Sequence, residues 1–159
     1  MTYSLADFPG LVGKELFCSD WVLLGNEDEK AFGHATFLRE DFLGRPPSNG
    51  DPYGERLVSG FLLLSMLVAF HKRELKLDSG GAYGLNYGVD KVRFLHPVLT
   101  GQRVRVRATL QDVQEKDAGT RVLTRNVLEV EGADSPAMVA DWITFFVQDE
   151  AGAKEPADA

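Results

Sequence analysis

The most apolar stretch of the chain is Leu57–Phe70, and it runs straight into the charged turn His71-Lys72-Arg73-Glu74. It is rich in Leu and poor in β-branched residues, which favours helix over strand. No polar stripe divides it into two faces. The pattern therefore predicts a helix that is hydrophobic nearly all round and buried on most sides. These fourteen residues are too few to span a bilayer core, which takes roughly 20. A short chain can bury such a helix only by wrapping a sheet around it.

The second half supplies that sheet. Gln102–Leu110 alternates strictly, with Val104, Val106 and Ala108 on one side and Arg103, Arg105 and Arg107 on the other. A period of two marks a half-buried strand. Gly84–Leu95, Thr120–Glu131 and Met138–Val147 read as further extended runs, and Gly132-Ala133-Asp134-Ser135-Pro136 is a turn between the last two. Short connections between them predict an antiparallel meander. In the first half, Trp21–Leu24 suits a strand. Asn26 is placed to cap a helix running through Leu38, with Glu27, Asp28 and Glu29 in its first turn. Asp41–Arg56, rich in Pro, Gly, Asn and Asp, reads as a loop. The fold class is α+β: a curved antiparallel sheet wrapped around a long buried central helix, the hot-dog fold. A single domain over residues 1–150 is expected, with 151–159 a disordered acidic tail.

Composition narrows the function. With 159 residues, 44% of them hydrophobic, the chain has room for one core. A net charge of -7 argues against nucleic acid and anionic membrane surfaces as partners. The single Cys18 suits a reducing compartment, and the first ten residues have neither the basic start nor the apolar core of a secretory signal. A cytoplasmic location is expected. Three dispersed His and one Cys make a metal site unexpected.

Two segments bring a known family into view. Leu57–Leu67 resembles the start of the central helix of the MaoC-like dehydratases. Leu85–Gly101 (Leu-Asn-Tyr-Gly-Val-Asp-Lys-Val-Arg-Phe-Leu-His-Pro-Val-Leu-Thr-Gly) resembles the strand that follows that helix, in particular in the nodulation-protein-N-like branch. Ala137–Phe145 suits the same branch. The resemblance covers roughly residues 8–148. It implies an enzyme, usually dimeric, that hydrates enoyl thioesters or dehydrates hydroxyacyl thioesters of coenzyme A or an acyl-carrier protein, with no metal or redox cofactor. It also implies an Asp and a His, five residues apart, that activate water. A backbone N–H at the N-terminus of the central helix would polarise the thioester carbonyl.

The chain departs from that pattern. Aligned through Trp21 and Phe32, the family Asp falls on Leu38 and its His on Leu43. A second alignment places the Asp on Asp41, and the His then falls on Pro46. Ser59 stands where the family commonly has a His before the helix glycine. A rearranged site is therefore expected. His34 and Asp41 are the candidate catalytic pair, since with Leu38 they would share one face of a helix long enough to reach Asp41. Ser59, Gly60 and Ser65 on the central helix are expected to bind substrate, Gly60 through its unobstructed N–H. Ser59 and Ser65 are alternatively buried hydroxyls bonded to a carbonyl one turn back. By resemblance, Asn86, Tyr87 and Gly88 line the pocket mouth or the dimer edge. The expected assembly is a homodimer, or a heterodimer with a second hot-dog subunit that carries the Asp/His pair. A protein of specialised biosynthesis that kept the pocket and changed the chemistry is a further alternative.

Overall fold

The structure, a computed structural model, describes residues 2–47 and 53–148. The central part of the expected loop and the expected tail lie outside these residues. Three long strands, β6 (Arg103–Lys116), β7 (Gly119–Val130) and β8 (Met138–Val147), form the predicted antiparallel meander. β5 (Tyr83–Phe94) adds to the far side of β8. β2 (Glu15–Cys18) and the two-residue β3 (Val22–Leu23) both pair with β6 at the opposite end. The sheet order is β2-β6-β7-β8-β5. Bulges interrupt the pairing in β2, β5 and β6, and such insertions bend a sheet. A separate parallel pair joins β1 (Thr2–Ser4) to β4 (Lys76–Asp78).

The alternation read in β6 is realised on its inner side: Val104, Val106, Ala108 and Leu110 are fully buried. Two of the arginines of the other side, Arg105 and Arg107, are tied down by carboxylates. Arg105 bonds Glu129 at 2.6 Å and stacks over Trp21, and Arg107 bonds Glu15 at 2.5 Å. Opposite charges on neighbouring strands stabilise the sheet modestly.

The central helix α3 runs Gly60–Glu74 and packs on the inner sheet surface. Its burial corrects the sequence expectation. Only Leu63, Leu67, Phe70 and His71 are buried, a stripe at helical spacing, while Phe61 is 69% exposed and Ser65 is exposed too. The sheet covers one side of α3 and leaves the other open. No helix among the described residues is long and apolar enough to cross a membrane.

The first helix also differs. α1 is Asn26–Ala35 and its N-cap is Gly25, not Asn26. Gly25 N–H donates to the Asp28 carboxylate at 2.8 Å, while Asn26, one residue inside the helix, accepts from Thr100 Oγ1 through its Oδ1 at 2.5 Å. The helix stops at Ala35 because the chain then turns through Phe37, at a φ of 67°. Glu40–Leu43, expected as loop, forms a separate single turn, α2.

Candidate functional site

The open end of α3 assembles the richest chemistry. Ser59 is its N-cap residue, with extended backbone and no capping bond from its side chain. It is therefore not inside a buried helix, as one sequence reading had it. The N–H groups of the first helical turn, Gly60, Phe61 and Leu62, have no intrahelical acceptor, as at any helix start. Their aligned dipoles favour negative charge. Ser59 N–H is already engaged: it donates to Glu29 Oε2 on α1 at 2.9 Å. Glu29 is half-buried, and this desolvation holds its carboxyl above the ordinary carboxylate range, with the Ser59 N–H opposing the shift. A perturbed carboxyl beside a helix N-terminus is a candidate acid–base group.

Sequence reasoning counted Glu29 only as a favourable charge in the first turn of α1. Its contact spans thirty residues, and no local spacing reveals that. Gly60 answers a steric demand as well as an electronic one. A Cβ there would lie 2.9 Å from the Phe94 ring, so the absent side chain lets β5 approach the helix start.

Gly60 itself borders a depression of about 370 Å3 with Phe94 and Pro97. Three more run along α3 beyond Ser59. The first, about 520 Å3, is bordered by Phe32, Thr36, Leu38, Ser59, Phe61 and Ser65. Leu38, the residue aligned with the family Asp, thus borders the helix start, while Asp41 is not among the lining residues. The second, about 280 Å3, shares Ser65 with the first and adds Asn86, Tyr87, Gly88 and Trp142. Tyr87 is the extra residue of a bulge: Asn86 pairs with Thr144 and Gly88 with Ile143. The third is a larger cavity of about 620 Å3 that shares Val68, Asn86 and Trp142 with the second and reaches His71. The expected binding residues Ser59 and Ser65, and Asn86–Gly88, are thereby brought along one helix side. Ser65 Oγ donates to Phe61 O at 2.7 Å, the one-turn-back bond, although the residue is exposed rather than buried.

The His34 and Asp41 pair is not built as expected. The two residues lie on different helices, separated by the turn at Phe37, so they share no helix face. Both are exposed, and Asp41 accepts from Arg39 Nε at 3.1 Å. Helix periodicity failed here because it presumed a helix extending past Ala35.

His71 is a second group that sequence reasoning passed over, because it falls where a charged helix end was read. Its ring lies edge-on between Phe17 and Trp142, with centroids at 4.9 and 4.8 Å. Its Nε2 lies 2.7 Å from Asn126 Oδ1 on β7. Burial pushes its pKa down to about 4, against the smaller opposing effect of Asn126.

Comparison with known proteins agrees with this architecture. Residues 49–132 match the family model described as the MaoC like domain. The chain is 38% identical over 146 residues to nodulation protein N of Rhizobium leguminosarum bv. viciae, covering 89% of this chain and 90% of the relative. It is 32% identical to 3-hydroxyacyl-thioester dehydratase Z of Mycobacterium tuberculosis, covering 91% of this chain and 96% of the relative. Among solved structures, a hot-dog-like protein from Thermanaerovibrio acidaminovorans superposes with a TM-score of 0.61 at 15% identity, over 92% of each chain. That likeness is one of fold.

Proposed function

The chain belongs to the MaoC-like dehydratase family, and from that membership we propose that it interconverts 3-hydroxyacyl and trans-2-enoyl thioesters by removing or adding water. The thioester would be carried by coenzyme A or an acyl-carrier protein, and the reaction would need no metal or redox cofactor. The observation that supports this most directly is the Glu29 carboxyl set against the N-terminus of α3. In the dehydration direction, the thioester carbonyl oxygen accepts from Gly60 N–H. Glu29 takes the α-proton, the carbonyl oxygen gains negative charge, and the helix dipole stabilises it. The β-hydroxyl then leaves as water with a proton from Glu29, and the C=C bond forms. Hydration runs the same steps backwards. Partial burial raises the Glu29 pKa above its ordinary value, which favours a carboxyl that holds a proton in one step and releases it in the other. Glu29 thus replaces the family Asp/His pair, and His34 and Asp41 are not needed for the proton transfers.

The active assembly in this reading is a homodimer. β5 is an edge strand, and Leu85, Tyr87 and Val89 on it are exposed, as is Phe61 on the open side of α3. An apolar edge of this length is a template for pairing with another chain. A second copy laid against β5 would cover this surface and wall the depressions along α3.

Glu29→Gln tests the assignment, because the amide oxygen still accepts from Ser59 N–H and preserves the helix cap. Hydration of enoyl-CoA esters of several chain lengths, followed by loss of enoyl absorbance, should fall about a hundredfold or more in the variant. His34→Ala and Asp41→Ala should leave turnover within a few-fold of wild type. Full activity in Glu29→Gln overturns the role of Glu29. A homodimeric wild type that turns over no chain length overturns the enzyme reading and favours a heteromer with a dyad-bearing subunit.

A further inference from the structure

His71 lines the 620 Å3 cavity and carries a polar atom that the fold does not satisfy. The orientation of its neighbour settles the proton positions. Asn126 Nδ2 donates to Thr124 O at 3.2 Å and to Thr124 Oγ1 at 3.1 Å, so the amide turns its oxygen to His71. His71 Nε2 therefore carries the proton and donates to that oxygen. The ring is neutral at physiological pH because it is buried. This leaves Nδ1 as a bare acceptor on a residue only 9% exposed, and it meets no donor among the described residues. Buried acceptors in folded proteins nearly always have a partner.

The rest of the lining is mostly apolar. Phe8, Leu16, Leu77 and Phe146 border the same space, and besides His71 the polar residues on its lining are Lys72, Tyr83, Asn86, Thr124 and Thr144. Val68, Asn86 and Trp142 line both this cavity and the depression that contains Ser65, so the two lie side by side along α3. Eleven residues separate Gly60 from His71 on α3, a helix rise of about 16 Å. A thioester held at Gly60 would thus project an aliphatic chain of medium length along the helix to His71.

We propose that this cavity is a recognition site for the far end of an aliphatic chain that bears a hydroxyl group, which donates its hydrogen bond to His71 Nδ1. The preferred substrates are then acyl thioesters hydroxylated near their distal end, not plain saturated chains. The arrival of the chain from Gly60 rests on the function proposed above. The cavity's own preference does not, and is tested with a ligand that has no thioester.

The probes are 1-decanol and its methyl ether, which share the decyl chain but differ in the donor. Binding to the homodimer is measured by calorimetry, and the His71 imidazole nitrogens are followed by NMR. Decanol should bind about tenfold more tightly than the ether, as one added hydrogen bond to a buried acceptor predicts. The Nδ1 resonance should move on decanol binding and stay in place with the ether. In His71→Phe, which has no acceptor, the preference for the alcohol should disappear. Equal affinities, no binding of either probe, or an unmoved Nδ1 resonance overturns the proposal; Nδ1 is then satisfied by solvent alone. The NMR measurement on wild type stands even if the variant does not fold. Enoyl-CoA hydration in the same preparation separates the two readings. Turnover without alcohol preference overturns only the cavity assignment, and alcohol preference without turnover overturns only the enzyme.

Discussion

Acidification from pH 7 to pH 5 should destabilise the protein by about 2 kcal/mol through His71 alone. The unfolded chain takes up a proton at this residue near its ordinary value of 6.5, whereas the folded protein resists until about 4. Between those values the unfolded state binds more protons, so stability falls as the pH falls. The contribution is fully present above 6.5, shrinks through the window, and is flat below about 4. At about 1.4 kcal/mol per pH unit, the whole window amounts to about 3 kcal/mol. Urea unfolding at the two pH values measures this directly. His71→Gln supplies the control: it keeps a donor for Asn126 but cannot titrate. The variant should lose about 1–2 kcal/mol at pH 7 from its forfeited contacts with Phe17 and Trp142. Its acid slope should be shallower than that of wild type by about 2 kcal/mol over the interval. Asp7, whose carboxyl is held low by the Ser4 N–H and hydroxyl, titrates in both proteins and cancels. Equal acid slopes in wild type and variant would refute a buried, neutral His71.

Two further outcomes are expected. Gly119→Ala places a Cβ 2.0 Å from the Phe146 carbonyl oxygen at a φ of +150°; backbone cannot yield as a side-chain tip can, and thermal unfolding should reveal a loss of more than about 3 kcal/mol. Tyr87→Lys puts a charge on the exposed part of β5 and should convert a dimer to a monomer in sedimentation while the far-UV spectrum is unchanged; a dimer that survives it argues against pairing through this edge.

Much of the architecture was legible because it rests on local periodicity. The alternation in Gln102–Leu110 and the apolar run before His71 are each set by one element, and both appear where the pattern put them. The burial of α3 was not legible. Hydrophobicity all round a helix says that it needs covering, but not that one chain covers only the Leu63, Leu67, Phe70 side. The candidate site divides in the same way. Gly60 and Asn86–Gly88 could be named from contiguous residues. Glu29 and His71 could not, because each acquires its character from a distant partner: Ser59 in one case, Asn126 in the other. The helix face expected to join His34 and Asp41 is absent because the expected helix would pass through Phe37, and one left-handed residue ends it.

The amino-terminal segment has a role that its small parallel pairing conceals. Thr2–Ser4 is bound alongside Lys76–Asp78, and the Asp7 carboxylate secures the following turn by accepting from Ser4 N–H at 2.7 Å. This arrangement holds Phe8, 1% exposed, as one wall of the His71 cavity. The wall is thus supplied by a short peptide that lies outside the main sheet. Phe8 also belongs to the buried core, so a smaller residue there should lengthen the cavity at a cost in stability of about 3–5 kcal/mol, far along α3 from Glu29.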